Sequence, residues 1–247
     1  MTVVDAHAHI GRSIYGETMA VDGLLRQMDQ HGVDLSVVTP FTPPDLDFSR
    51  ANNEVAQAVR QHPDRLIGCI RIDPRIQAAS RDEILRGVEI YGFRCVALHP
   101  HEQGFAANHP CVLPAIALAD QHRLIVHVAT GYPVVSTPTQ IAVLARQFPH
   151  TPFVFGHMGA DAYFFDAIKV SALFSNVYLE TAGHVLTGEA KNGLRLAIDA
   201  AGDDRVIFGS DSPYFDLGVE LKRVEVAGLP PESQARVLGD NLLRLLN

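Results

Sequence analysis

At 247 residues, 47% hydrophobic and only 19% charged, the chain is long enough for one sizeable buried core, which excludes a disordered segment, a coiled coil or a secreted mini-protein. Its net charge of -8 leaves no basic stripe to displace counterions from phosphates, so a nucleic-acid partner is excluded as well. Cys69, Cys95 and Cys111 are odd in number and lack CxxC spacing; Cys69 and Cys95 fall in apolar runs and read as small buried residues.

The first predicted element is a strand over residues 3–11, VVDAHAHIG, in which His7 and His9 stand two apart and so share a face. A helix over 22–32 follows, with apolar residues at 24, 25 and 28 and Gly32 as its stop. Strands are then expected at 35–40, 66–72, 93–98, 124–128, 153–155, 177–180 and 206–208. Helices are expected between them at 50–61, 82–91, 112–122, 139–148, 162–174 and 189–200, with further helical segments after Gly218 and Glu232. The strands recur at roughly 30-residue spacing, the length of a strand plus its crossover helix. They are near-continuously apolar, as strands buried on both faces must be. The expected fold is therefore a single-domain (β/α)8 TIM barrel, parallel and eight-stranded, spanning residues 1–247. A doubly wound open sheet is the alternative, but no GxGxxG or GxxxxGK[ST] turn follows the first strand. No basic and apolar leader precedes that strand, and no apolar run reaches roughly 18 residues, so a soluble, cytoplasmic protein with no membrane partner is expected.

In such a barrel the chemistry sits at the C-terminal ends of the strands. Those ends carry His7 and His9, Arg71 and Asp73, His99, His127, His157, Glu180, and then Gly209, Ser210 and Asp211. Each has a bland alternative: His127 as a core histidine, His157 as a turn residue, Asp211 as a helix N-cap. Their shared position on one rim points instead to a metal site, because two imidazoles fill only two positions on a cation such as zinc.

The ordered motifs DAHAHIG, ALHPHEQGF, VHVATG, FGHMGA, IFGSDSP and GDNLLRLL resemble the amidohydrolase superfamily over nearly the whole chain. The nearest branch is the amidohydrolase-related one that includes aminocarboxymuconate semialdehyde decarboxylase. The resemblance implies one divalent metal ion, usually Zn2+, held by His7, His9, His127 and Asp211, with His157 beside it. Many relatives carry a lysine on the fourth strand, where this chain reads Ala97-Leu98-His99-Pro100, so a mononuclear centre is expected.

The expected chemistry is hydrolysis of a small ester, lactone or amide by a metal-activated water, with Asp211 as base and His157 stabilising charge. The alternative is a metal-dependent, non-oxidative decarboxylase, and a non-catalytic metal-binding barrel is a third reading. Nearly all the chain is spent on the barrel, which favours the hydrolase. Arg71, Arg12 and His99 are the candidates for holding a small-molecule substrate, and Asp5 reads as a supporting residue behind the histidines. Tyr163, Phe164 and Phe165 read as packing, in the core or at a homodimer contact, with lining of the pocket mouth as the alternative.

Overall fold

The computed structural model describes residues 1–183 and 193–247. The strands in chain order are β1 (Val4–Arg12), β2 (Thr18–Met19), β3 (Leu35–Pro40), β4 (Leu66–Arg71), β5 (Cys95–Leu98), β6 (Ile125–Ala129), β7 (Phe153–Gly156), β8 (Val177–Glu180) and β9 (Val206–Ile207). The helices are α1 (Val21–His31), α2 (Phe48–Gln61), α3 (Gln77–Glu89), α4 (Pro100–Gln103), α5 (Leu113–Gln121), α6 (Pro138–Gln147), α7 (Ala160–Leu173), α8 (Gly193–Ala201), α9 (Leu217–Val226), α10 (Pro231–Ala235) and α11 (Asn241–Leu246). The strands form one curled sheet in the order β2-β1-β3-β4-β5-β6-β7-β8-β9. Every neighbouring pair is parallel except β1 and β2.

The eight parallel strands begin within two residues of the expected positions, because a continuous apolar run is what a strand covered on both faces requires. The differences lie where that signal is weak. β2 and α4 are too short to show a period, and α3 starts at Gln77, five residues before the expected 82, through a first turn without an apolar face. The expected helix start at Glu189 lies outside the described residues. No described helix is long and apolar enough to cross a membrane.

The pleat sorts the side chains into two layers. Val38, Ile70, Val96, Val126, Val128, Phe155 and Leu179 join the large cluster under the helices, each such burial being worth roughly 1.5–3 kcal/mol. Val37, Cys69, Cys95, Ala97, Ile125, Val154 and Ile207 form a second cluster inside the curl. The inward row is the one that continues into Arg71, His99, His127, Gly156 and Glu180 at the strands' C-terminal ends. Cys69 and Cys95 lie side by side in this row as free, buried thiols. Phe164 is fully buried on α7, in line with a packing role, whereas Phe165 is exposed.

β1 departs from simple alternation. Its pairing with β3 shifts between Asp5 and Ala8, so Val4 and Ala6 join the inner cluster while Ala8 and Ile10 join the outer one. A strand irregularity of this kind re-aims the side chains beyond it. The chain after β9 returns to β1: Phe208 O accepts from Ala6 N–H at 3.0 Å, His7 O from Asp211 N–H at 2.6 Å, and Ser212 O from His9 N–H at 2.8 Å. These bonds bring the last parallel strand's continuation against the first.

Candidate metal centre

The backbone first sets the entry of each ligand-type side chain. Asp5, buried behind the histidines, accepts from His7 N–H at 3.0 Å and Ser210 N–H at 2.8 Å through Oδ1, and from the Ser210 hydroxyl at 2.6 Å through Oδ2. It therefore ties β1 to the turn that carries Asp211 and plays a structural part. Burial pushes its carboxyl up to about 7 against these hydrogen bonds. Asp211 itself sits at φ 52°, and His157, Met158 and Ala160 at 65°, 49° and 49°. Such left-handed backbone at non-glycine residues costs about 1–3 kcal/mol each and concentrates at functional sites. Asp211 is not the helix N-cap that the sequence allowed; that position on α9 belongs to Asp216, which accepts from Val219 N–H at 2.9 Å.

His7, His9, His127, His157 and Asp211 come together as expected. Nε2 of His7 lies 3.1 Å from Nε2 of His9, and Asp211 Oδ1 lies 3.3 Å and 3.1 Å from the same two atoms. The His7 ring centroid is 4.4 Å from that of His127 and 5.5 Å from that of His157. Nδ1 of His7 faces a carboxylate oxygen of Glu180 at 3.2 Å, and Nδ1 of His9 faces the carbonyl of Thr39 at 3.2 Å. Both partners are acceptors only, so both Nδ1 atoms carry hydrogen and neutral rings would aim two Nε2 lone pairs at each other and at Asp211. A positive charge among them satisfies this arrangement, either a proton on His7 or a metal ion. His127 Nε2, buried and without a hydrogen-bond partner, adds a further free donor atom. Three imidazoles and a carboxylate are a fitting donor set for a divalent ion.

The electrostatics agree. Burial alone would lower His7, but the carboxylates of Asp211 and Glu180 overcome it and push its pKa up to about 9. Burial, followed by the neighbouring His7, holds His127 at about 4. Asp211, although buried, is drawn down to about 2 by His7, His9 and His157, and so stands as a carboxylate.

The cluster opens into a pocket of about 310 Å³, lined in part by Tyr15, His99, Glu102, Tyr132, Tyr214 and Phe215. His99 reaches it with Nδ1 3.6 Å from Glu102 and with a buried, unpartnered Nε2. Phe41 stacks on His9 at 4.9 Å, and Tyr214, anchored through its hydroxyl to Ser13 at 2.7 Å, meets His9 edge-on.

The two arginines behave differently from the substrate-holding role read from the sequence. Arg71 is fully buried, and its guanidinium is taken up by Glu102, Thr42 and the Pro40 carbonyl rather than offered to the pocket. Arg12 is exposed where β1 pairs with β2, outside the pocket lining. Two carboxylates gain importance that the sequence reading did not give them. Glu102 follows His99 by three residues in the turn at α4, and Glu180 closes the otherwise apolar run of β8; a charge ending such a run was the available signal.

The profile of the family described as Amidohydrolase matches residues 4–247. No curated protein matches the chain significantly. Among solved structures, 5-carboxyvanillate decarboxylase from Sphingomonas paucimobilis superposes with a TM-score of 0.76 at 17% identity, covering 99% of this chain and 98% of that one. A dihydroxybenzoic acid decarboxylase from Polaromonas sp. JS666, solved with bound manganese and the inhibitor 2-nitroresorcinol, gives 0.77 at 16% identity over 99% and 96%. An uncharacterised TIM-barrel protein from Bordetella bronchiseptica gives 0.81 at 17% identity over 100% and 98%. At these identities the likeness establishes the fold.

Proposed function

Because the chain belongs to the amidohydrolase family, matched from residue 4 to residue 247, we propose that it is a metal-dependent, non-oxidative carboxy-lyase acting on a small aromatic carboxylic acid. The observation that carries the reading is the opening of a cation-fitted histidine–aspartate cluster into an aromatic-lined pocket, in a fold shared end to end with decarboxylases of such acids. The hydrolase expected from the sequence rested on chain length, which is a weaker argument than whole-chain likeness to lyases. The bonds from the chain after β9 to β1 support a closed, eight-stranded parallel barrel as a single domain over residues 1–247.

In this reading His7, His9, His127 and Asp211 hold one divalent ion. The donor set favours zinc, and manganese, bound in the Polaromonas enzyme, is the other ion to supply. When bound, the ion contributes a Lewis acid that neutralises and orients the substrate's oxygen atoms. Decarboxylation breaks the bond from the ring carbon to the carboxyl carbon, leaves the electron pair on the ring and requires a proton in exchange for carbon dioxide. Asp211, ionised in its histidine cage, is the group placed to accept a proton and pass it to that carbon. His157, its Nδ1 3.0 Å from the Ala182 carbonyl, presents the rest of its ring to the pocket beside Asp211 and orients the substrate. His99 Nε2 offers the substrate a further polar contact, while Arg71 acts through Glu102 to hold His99. The aromatic walls exclude water and suit a planar ring. No role is assigned to Arg12.

The test is metal analysis followed by turnover. Protein reconstituted with zinc or manganese should release carbon dioxide from members of a hydroxybenzoate panel that includes 2,6-dihydroxybenzoate and 5-carboxyvanillate. Asp211→Asn should lower the rate by about 10²–10⁴-fold, as loss of a proton-transferring group does. Hydrolysis of an ester, lactone or amide panel with no carbon dioxide release would overturn the lyase assignment.

A further inference from the structure

We infer that Glu180 is a positioning residue of the metal centre: a single buried carboxylate, seated against Gly209, fixes the tautomer of His7 and the turn that carries His157. The inference rests on the proposed metal site, and it is independent of the reaction catalysed there.

Glu180 ends β8 with its side chain fully buried, and both of its carboxylate oxygens face N–H groups. Its Oε2 is 3.2 Å from His7 Nδ1 and accepts from His157 N–H at 3.3 Å. Its Oε1 accepts from the backbone N–H of Ala182, whose own carbonyl lies 3.0 Å from His157 Nδ1. One carboxylate therefore reaches His7 directly and His157 twice over, once through its backbone and once through the Ala182 carbonyl. A hydrogen held on Nδ1 leaves Nε2 of His7 free to point at His9 and Asp211, which is the state a metal needs.

Gly209 supplies a second, independent observation. A Cβ built on it would stand 2.3 Å from Glu180 Oε1 and 2.6 Å from Cδ. Gly209 is not among the positive-φ glycines, so its backbone does not call for glycine; the space for the carboxylate does. Glutamine cannot replace the carboxylate cleanly, because its NH2 group would face at least one of the N–H groups that Glu180 now accepts from.

A competing arrangement is visible on the same atoms. His7, His127 and Glu180 bring donor atoms close enough to hold an ion among themselves, with His127 Nε2 3.7 Å from Glu180 Oε2. That would make Glu180 a ligand, and the experiment separates the two.

The full chain, freed of metal, is titrated with zinc alone and with manganese alone for the wild type, Glu180→Gln, Glu180→Asp and Gly209→Ala. Imidazole nitrogen NMR of the metal-free proteins, taken at alkaline pH so that the His7 ring is neutral and with His7 assigned by a His7→Gln difference spectrum, reads the tautomer. A positioning role predicts one ion per chain in every variant, bound about 10–100-fold more weakly in Glu180→Gln and Gly209→Ala, as is usual when a ligand's hydrogen-bond partner is lost. Glu180→Asp should recover part of that loss. The His7 hydrogen should reside on Nδ1 in the wild type and be shared between the two nitrogens in both weakened variants. Unchanged affinity and unchanged tautomer overturn the inference, as does X-ray absorption showing that the bound ion loses a carboxylate oxygen in Glu180→Gln. Should Glu180→Gln fail to fold, Gly209→Ala, which removes no polar group, decides. If the wild type takes up no metal, the proposed function falls, while the tautomer comparison still decides whether Glu180 governs His7.

Discussion

The rings of His101 and Tyr132 stack face to face across the pocket mouth, with centroids 4.0 Å apart and planes within 4°. One comes from α4 and the other from the loop after β6, so the stack joins two strand-end loops that are far apart in sequence. Aromatic pairs contribute about 0.5–1.5 kcal/mol beyond their buried area. Tyr132→Ala should accordingly leave the fold intact, widen the mouth and raise KM about 3–10-fold, with a smaller change in kcat. Steady-state kinetics on whichever acid of the panel turns over check this, and an unchanged KM would place the substrate away from Tyr132.

A second prediction concerns space rather than contact. A Cβ on Gly156 would lie 2.9 Å from Cε1 and 3.1 Å from Nε2 of His127. With the Val128 carbonyl 3.3 Å away on the same side, the ring has to yield. Gly156→Ala should cost roughly 10-fold or more in metal affinity, since a ligand displaced by a fraction of an ångström loses its geometry. Calorimetric titration with zinc is the check, alongside circular dichroism to show that the fold survives. Unaltered affinity would mean that His127 is not a ligand.

These glycines show what the sequence could and could not reveal. The parallel strands were legible because burial on both faces leaves short apolar runs at regular spacing, and His7, His9, His127, His157 and Asp211 were legible as ligand types at the ends of those runs. The re-aiming of β1 between Asp5 and Ala8 was not, since one extra residue in a strand changes facing without changing composition. Arg71 illustrates the other limit. An arginine at a strand end reads as an anion-binding group, and only the three-dimensional neighbourhood reveals that Glu102, 31 residues later, already occupies it. Glu180 was visible as a polar residue on the rim, but its three N–H partners come from β1, the turn after β7 and its own loop and exist only once the sheet has curled.

Glu220 supplies a pH dependence away from the metal cluster. It lies buried on α9, accepts from Gly183 N–H at 3.2 Å and from Arg223 at 2.7 Å, and faces the charge of Glu180. Burial pushes its carboxyl up from 4.5 to about 7, with Arg223 and the Gly183 N–H opposing and Glu180 adding to the rise. Between pH 4.5 and 7 the folded protein keeps a proton that the unfolded chain has released, so this group's contribution to stability declines as pH rises through that window. Glu220→Gln removes the titration. Its stability relative to wild type should therefore grow from pH 5 to pH 8, by at most about 3 kcal/mol at 1.36 kcal/mol per pH unit, less whatever the Arg223 pair contributes. Urea denaturation of both proteins at four pH values across the window measures the difference, and a gap that stays constant with pH would show that Glu220 is ionised throughout.

The Arg71–Glu102 pair leads to a prediction of opposite sign. Arg71 is fully buried, with Nε unpartnered and its terminal nitrogens on Glu102, Thr42 and the Pro40 carbonyl, and Glu102 is held well below the usual carboxylate range, against its burial, by His99 and Arg71. Removing one partner of a buried ion pair strands the other's charge and costs about 3–5 kcal/mol, whereas an exposed pair is worth about 1 kcal/mol or less. Arg71→Met should thus lower unfolding stability by several kcal/mol, while breaking the exposed Arg50–Asp45 pair through Arg50→Ala should leave stability nearly unchanged. The double variant Arg71→Met with Glu102→Leu should recover much of the loss, because neither partner's charge is then left stranded. Denaturation midpoints of the three variants test the set. Were Arg71 instead a substrate-holding residue, its loss would raise KM with little change in stability, and the double variant would rescue nothing.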